Sequence, residues 1–411
     1  MGRYVVAVER GDDKFALLSD AVDKSGLFEV LDGELSRSGK SKKDFAVVVK
    51  PNVMMFTHRE DPPVTYTDPE LVERLVEMVR DAGYEKIRMV EAQNIYGNWY
   101  DDRTVKNVMA AAGFDPKKYG YEVCDLTEDV EEYDYGGKLG KHIVGRAWRD
   151  ADFRISFAKN KTHMSNMVTL AIKNIYGTLP MQDKAAEYHL KREWYAATID
   201  NLKNFPVQFG LIDAVYSADG LLGFKGTAVP QHTKMVMASP SIVALDIVAT
   251  RMMRIKPERS ILTKLAIEEW GRPEIDLLGI GPDYVHPDWD NLLIKDWFAR
   301  FVFKLLTRIR GRRPEVPDVL RKSYLYHLLQ EKVPEFWQAA SDVLEESYLS
   351  FNLAGIISNG LVGDKMDTDL FPRKKNLPKR LIDKSIANVA EGRKNRKSTR
   401  QSLREFYESL F

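Results

Sequence analysis

The sequence predicts an α/β protein: a parallel-sheet body with flanking helices, followed by a helical extension. Three observations carry that prediction. Short strand-like segments recur: Ala46–Val49 is a continuous apolar run, Ile87–Glu91 and Phe209–Ala214 read as strands as well, and Phe153, Ile155 and Phe157 alternate with polar residues as in a half-buried strand. Between the first two lies TDPELVERLVEMVRD, an amphipathic helix with Thr67 or Asp68 as cap, Pro69 in its first turn and Gly83 past its end. Finally, a polar residue stands near the carboxyl end of each segment: Lys50, Glu91, Lys159 or Asp213. Open α/β sheets place ligands beyond the carboxyl ends of their strands.

The remaining elements follow in order. Tyr4–Val8 reads as an opening strand and Ala16–Leu31 as helix, with Leu17, Leu18, Ala21, Val22 and Leu27 on one side. Lys50-Pro51-Asn52 leaves the next strand at a proline-fixed bend, which aims Asn52 at the sheet end. His58, beside Arg59, Glu60 and Asp61, reads as a solvated loop residue. Arg103–Ala112 is expected to be helical, Tyr121–Cys124 a strand, and the acidic stretch Glu128–Tyr135 a solvated loop or edge. Lys234–Ala238 should be a strand and Pro240–Arg251 a helix carrying Asp246 in an apolar neighbourhood. A buried aspartate needs a partner, so Asp246 is either a structural hydrogen-bonding group or a site residue. Arg259–Trp270 and Ile275–Ile280 complete a body of residues 1–281, with room for two α/β subdomains about a cleft divided near residue 150.

The stretch from Asp152 to His189 holds the densest chemistry. Its strand ends in Lys159, Asn160, Lys161, Thr162 and His163. Met164, Met167, Val168, Ala171, Ile172 and Ile175 then fall three or four apart, which predicts a helix capped by Ser165 or Asn166 and carrying Lys173. Lys184 and His189 follow. His163 suits general acid/base work near neutral pH. A desolvated Lys173 suits nucleophilic attachment, and His189 suits a metal. Lys50, Asn52, Lys159, Lys161, Lys184 and Asp213 would line the cleft and bind a carboxylate or phosphate. Gly220, Gly223 and Gly226 with Lys225 offer a loop able to approach an anion, without the spacing of a nucleotide motif.

Several of these segments together resemble one family. KPN, TDPELVERLVEMVRDAGY, KTH, VTLAIKNIYGTLP, the later Lys184 and His189, IDA and SPSIVALD are similar to domain-of-unknown-function family 362 (DUF362) over residues 45–281. That family name brings little chemistry. More distantly, His163, Lys173 and His189, ten and then sixteen apart, resemble the nickel-dependent lactate racemases. That resemblance implies a shared fold and site location. Carried to the cofactor, it implies a lysine-linked, nicotinate-derived nickel pincer on Lys173, with His163 as acid/base and His189 as nickel ligand. TLAIK stands where the racemases have a glycine-rich run, and AQNIYG lacks their other catalytic histidine.

Composition narrows the alternatives. The 411 residues carry 61 Lys and Arg against 60 Asp and Glu, a net charge of +1. Binding to nucleic acid or anionic lipid would therefore have to come from local patches, and no nucleic-acid role is expected. With Cys124 the single cysteine, this chain cannot build a disulfide framework or a cysteine-ligated iron–sulfur cluster of its own. No apolar run is long enough for a membrane span, so a cytoplasmic protein is expected. Residues 282–411 form the helical extension with a basic tail. Within it, 289–313 reads as a basic amphipathic helix, either packed on the body or free for an anionic membrane surface or protein partner. Two functions remain open. One is an enzyme of proton- or hydride-transfer type, racemase-like or associated with an oxidoreductase, acting on a small anion. The other is a non-catalytic anion- or cofactor-binding protein that docks to a redox partner or membrane through its extension.

Overall fold

The computed structural model describes residues 2–98, 100–163, 166–184, 187–188, 192–220, 228–287, 289, 366–372 and 374. In chain order the strands are β1 (Arg3–Arg10), β2 (Val47–Pro51), β3 (Ile87–Glu91), β4 (Glu122–Asp125), β5 (Val130–Asp134), β6 (Lys141–Gly145), β7 (Phe153–His163), β8 (Met167–Thr169), β9 (Phe209–Gly220), β10 (Ala228–Gln231), β11 (Met235–Ser239) and β12 (Glu274–Leu278). The helices are α1 (Lys14–Ser25), α2 (Leu27–Ser38), α3 (Pro69–Asp81), α4 (Val105–Ala112), α5 (Pro116–Tyr119), α6 (Arg146–Arg149), α7 (Ala171–Ile175), α8 (Trp194–Asn204), α9 (Ile242–Met252) and α10 (Ile261–Trp270).

Ten strands form one mixed, mostly parallel sheet in the order β12-β1-β11-β9-β7-β2-β3-β4, with β10 paired to β9 and β8 to β7. Neighbours from β4 through β3, β2 and β7 to β9 are all parallel. Their carboxyl ends therefore lie along one edge, where Lys50, Glu91 and Lys159 stand. β11 runs antiparallel to both β9 and β1, and β1 pairs parallel with β12. The α/β reading holds.

Side chains alternate across this sheet into two apolar layers. Val48, Ala158, Ile212 and Met237 pack with residues of α7, α8, α9 and α10. Val47, Val49, Phe157, Leu211 and Val236 pack with residues of α1, α2, α3 and α4. Strands covered on both faces lose polar alternation, which explains the continuous apolar run at 46–49.

Local signals placed α3 well: Asp68 accepts the Glu70 amide and Pro69 opens the helix. The expected 16–31 helix is divided, because Gly26 at φ 73° caps α1 and opens α2. The acidic 128–135 stretch supplies β5, which pairs with β6 in a separate two-stranded sheet.

The larger correction concerns the segment after Phe157. β7 runs through the polar burst to His163, and Met167–Thr169 folds back on it as β8, with Lys161 opposite Thr169 and His163 opposite Met167. The helix carrying Lys173 starts only at Ala171. Of the two expected caps, Asn166 does not cap α7 and Ser165 lies outside the described residues. The first amides of α7, Ala171 and Ile172, instead donate to Asp246 of α9 at 2.8 and 3.0 Å. Asp246 is thus a structural hydrogen-bonding group, and burial pushes its carboxyl up to about 7.

Among the described residues no helix is long and apolar enough to cross a membrane. The expectations for the Gly223–Gly226 loop, His189, the 289–313 helix and the basic tail lie outside the described residues, apart from Trp289.

Candidate functional site: a lysine cluster at the strand ends

β2 and β3 end side by side and place Lys50 against Glu91, with Nζ 2.9 Å from Oε2. Lys50 is 1% exposed and Glu91 2%. Burial at this depth lowers the Lys50 pKa, with Glu91 pulling the other way. The lysine also donates to the Pro51 carbonyl at 2.7 Å and to Asn174 Oδ1 at 3.2 Å.

Asn174, on α7, ties the strand end together. Its Nδ2 donates to the Lys50 carbonyl and Ser156 Oγ, while its Oδ1 accepts from Asn52 Nδ2. Asn52 Oδ1 is buried without a hydrogen-bond partner. Glu91 also accepts the long amide contacts of Val53 and Met54, both at 3.4 Å. Gly177 packs on this pair so closely that a Cβ there would sit 2.7 Å from Glu91 Oε1 and 2.8 Å from Lys50 Nζ.

A second group forms on the α3 side of the sheet. Lys159 Nζ lies 2.8 Å from Asp213 Oδ2 and donates to the Pro63 carbonyl. Asp213 also accepts the Asp68 and Val215 amides. Burial raises its carboxyl pKa, opposed first by Lys159. With both oxygens engaged inside the protein, Asp213 acts as counter-ion and loop anchor. Lys161, two residues further along β7, donates to the Thr65 carbonyl at 2.6 Å.

Three lysines differ from these pairs. Among the described residues, no ion pair reaches Lys161, Lys173 or Lys184. Lys184 is held by the Leu179 and Met181 carbonyls. The Lys173 ammonium sits 4.7 Å from the centre of the Tyr176 ring and 5.6 Å from that of Trp194, a cation–π arrangement. Burial pulls Lys161 down to about 7, Lys184 to about 7 and Lys173 to about 8. Carboxylates at a distance oppose this, Glu60 at Lys161 and Glu91 at Lys184 and Lys173, while repulsion adds to it: Lys161 feels Lys173, Lys159 and Lys50, and Lys184 feels Lys50 and Lys173. The five lysines therefore share one electrostatic neighbourhood, divided between the two faces at the sheet edge.

His163 closes β7, two residues beyond Lys161. His189 lies outside the described residues, and among those described no three His, Cys, Asp or Glu stand together as a metal site. Sequence reasoning named the lysines but missed Asn174, and it treated Glu91 only as a strand end. The signal for Glu91 was present, since a carboxylate at one parallel strand end faces the lysine at the next.

Residues 47–251 match the family described as Domain of unknown function (DUF362). This stretch is a DUF362 domain. The thylakoid-associated protein sll1697 of Synechocystis sp. is 22% identical over 231 residues, 55% of this chain and 68% of that protein. Among solved structures, the lactate racemase apoprotein from Thermoanaerobacterium thermosaccharolyticum superposes with a TM-score of 0.35 at 12% identity. A protein from Thermotoga maritima gives a TM-score of 0.33 at 12% identity. The matches cover 56% and 55% of this chain and 54% and 56% of those chains. With both scores below 0.5, the fold assignment rests on the strand order, not on them.

Proposed function

We propose that the DUF362 domain binds a small anionic substrate or cofactor, a carboxylate or phosphate, at the Lys161, Lys173 and Lys184 end of this cluster. The observation that supports the reading is three lysines, two buried and one half-buried, with no ion pair among the described residues, beside two that have one. Removing a cation from water is costly unless an opposite charge compensates it. The protein supplies carboxylates for Lys50 and Lys159, and the ligand would supply the rest. Lys161 and Lys184 are buried, whereas Lys173 keeps partial exposure, so Lys173 is the one a ligand meets first.

At a pKa of about 8, about a tenth of Lys173 is free amine at pH 7. It can then take up a proton from a bound substrate, with His163 as a second acid/base, or attack an electrophilic carbon. That amine also fits the attachment point of a nicotinate-derived cofactor, which when bound would supply hydride-acceptor chemistry. The aromatic walls of Tyr176 and Trp194 would then orient the lysine. Its metal would call on His189.

Titration calorimetry with inorganic phosphate and with lactate at pH 7 tests the reading. The full chain should bind at least one of them, and Lys161→Met, Lys173→Met and Lys184→Met should each weaken binding about tenfold, the loss of one charge-assisted contact. Wild-type affinity in all three variants would overturn it. Lys173→Arg keeps the charge and removes the ordinary amine nucleophile: retained binding with lost turnover would place covalent or proton-transfer chemistry at this lysine.

Peripheral membrane association through 289–313 belongs to the same proposal. Full-length protein should co-sediment with vesicles containing anionic lipid, and Arg300→Glu, Arg308→Glu and Arg312→Glu combined should release it. Unchanged sedimentation would remove that part.

A further inference from the structure

The extension returns to the body at one described place. Residues 366–372, with Lys374, lie against the loop after β2 and the segment after β3. The Asp367 amide donates to the Thr57 carbonyl, and the Asp101 amide to the Pro372 carbonyl, both at 2.8 Å. Lys374 Nζ donates to the Gly97 carbonyl at 2.6 Å. Met366 and Phe371 are 5% and 1% exposed and join the α3-side core.

Arg103 is the pivot of this contact. It is 3% exposed, and its Nη2 donates to the Met54 and Phe56 carbonyls at 3.0 and 2.6 Å. Its guanidinium lies 5.0 Å from the centre of the Tyr96 ring and 5.3 Å from that of Phe371. Among the described residues no carboxylate pairs with it, and burial lowers its pKa to about 10. Phe371 meets Phe56 edge-on at 6.4 Å, and Phe56 meets Tyr66 in the same way at 5.3 Å. Tyr66 OH accepts the Glu60 amide, and Glu60 in turn accepts the Val64 and Thr65 amides and the Thr65 hydroxyl. The far end of this loop supplies the carbonyls of Pro63 and Thr65, which hold Lys159 and Lys161.

We propose that residues 366–372 with Lys374 form a strap that fixes the 53–66 loop, with Arg103 and Phe371 as positioning residues for the lysines this loop holds. The site of the DUF362 domain is then set in part by a segment outside the family match. The proposal rests on the anion-binding reading for its purpose but not for its detection. Lys161 is enclosed by this loop and faced by Glu60 from the loop, Lys173 from α7, Lys159 from its own strand and Lys50 from β2. A loosened loop admits water to that amine and returns it toward the ordinary lysine value.

The test is the titration of Lys161 in the ligand-free full chain, read by NMR with 13Cε-labelled lysine and assigned with Lys161→Arg. In the wild type the midpoint should lie near 7. Phe371→Ala should raise it by about one pH unit or more, and Phe371→Leu should restore most of the shift. Arg103→Met, which removes both carbonyl contacts, should raise it as well. A midpoint unmoved in Phe371→Ala and Arg103→Met, while hydrogen exchange at Thr57 and Thr65 accelerates, would overturn the proposal and leave the strap a packing element only. A raised midpoint in a protein that binds neither phosphate nor lactate would sustain the strap and defeat the proposed function.

Discussion

Two sets of lysines gather at one sheet edge in this protein, and they differ in their partners. Lys50 and Lys159 meet Glu91 and Asp213 at 2.9 and 2.8 Å. Lys161 and Lys184 are buried just as they are but have carbonyls for partners, and Lys173 has aromatic rings. Burial of a lysine therefore does not by itself mark a site. What separates the two sets among the described residues is an ion pair within the protein, and the proposed anion site lies on the set that lacks one.

The comparison breaks most visibly on the paired side. Lys50→Met leaves Glu91 charged and enclosed, and should cost about 3–5 kcal/mol in urea unfolding. Replacing both partners with apolar residues, as in Lys50→Met with Glu91→Leu, should recover most of that loss. Gly177→Ala should come next at about 1–3 kcal/mol, because its methyl group would press on both members of the pair.

The unpaired set should show itself through pH. Folding lowers the pKa of Lys161, Lys173 and Lys184, so between about 7 and the ordinary lysine value near 10.4 the unfolded chain holds more protons. Stability should then rise with pH across that window, and saturating phosphate should flatten the rise. A melting temperature that falls steadily from pH 7 to 9 without ligand would contradict this. The smallest effect is expected for Lys173→Met, within about 1 kcal/mol of wild type, since removal of a half-buried charge outside any ion pair relieves repulsion. A loss as large as that of Lys50→Met would move Lys173 into the structural set.

What the sequence disclosed follows the reach of each interaction. α3 was legible almost to the residue because Asp68 and Pro69 act within one turn, and the place of Lys50 and Asn52 at the end of a strand was legible because the apolar run Ala46–Val49 stops there. α7 was misplaced because its cap, Asp246, lies 75 residues away, while the apolar spacing from Met164 to Ile175 imitates a helix even where the chain forms a hairpin. The division of the lysines was hidden for the same reason. Each counter-ion stands on another strand, and no local pattern shows which lysine receives one. Arg103 looked like the start of a helix; its contact with Phe371 joins residues that the sequence places in separate regions.

The strand order has a practical consequence. The family match ends at residue 251 and begins at 47, yet β11 pairs on one side with β1, which lies before that stretch. A fragment cut to the matched residues would expose β11, five fully enclosed residues, as a bare apolar edge. Such edges recruit strands from other molecules. Poor recovery of that fragment from solution would therefore reflect self-association at β11, and restoring residues 1–46 and 252–281 should relieve it.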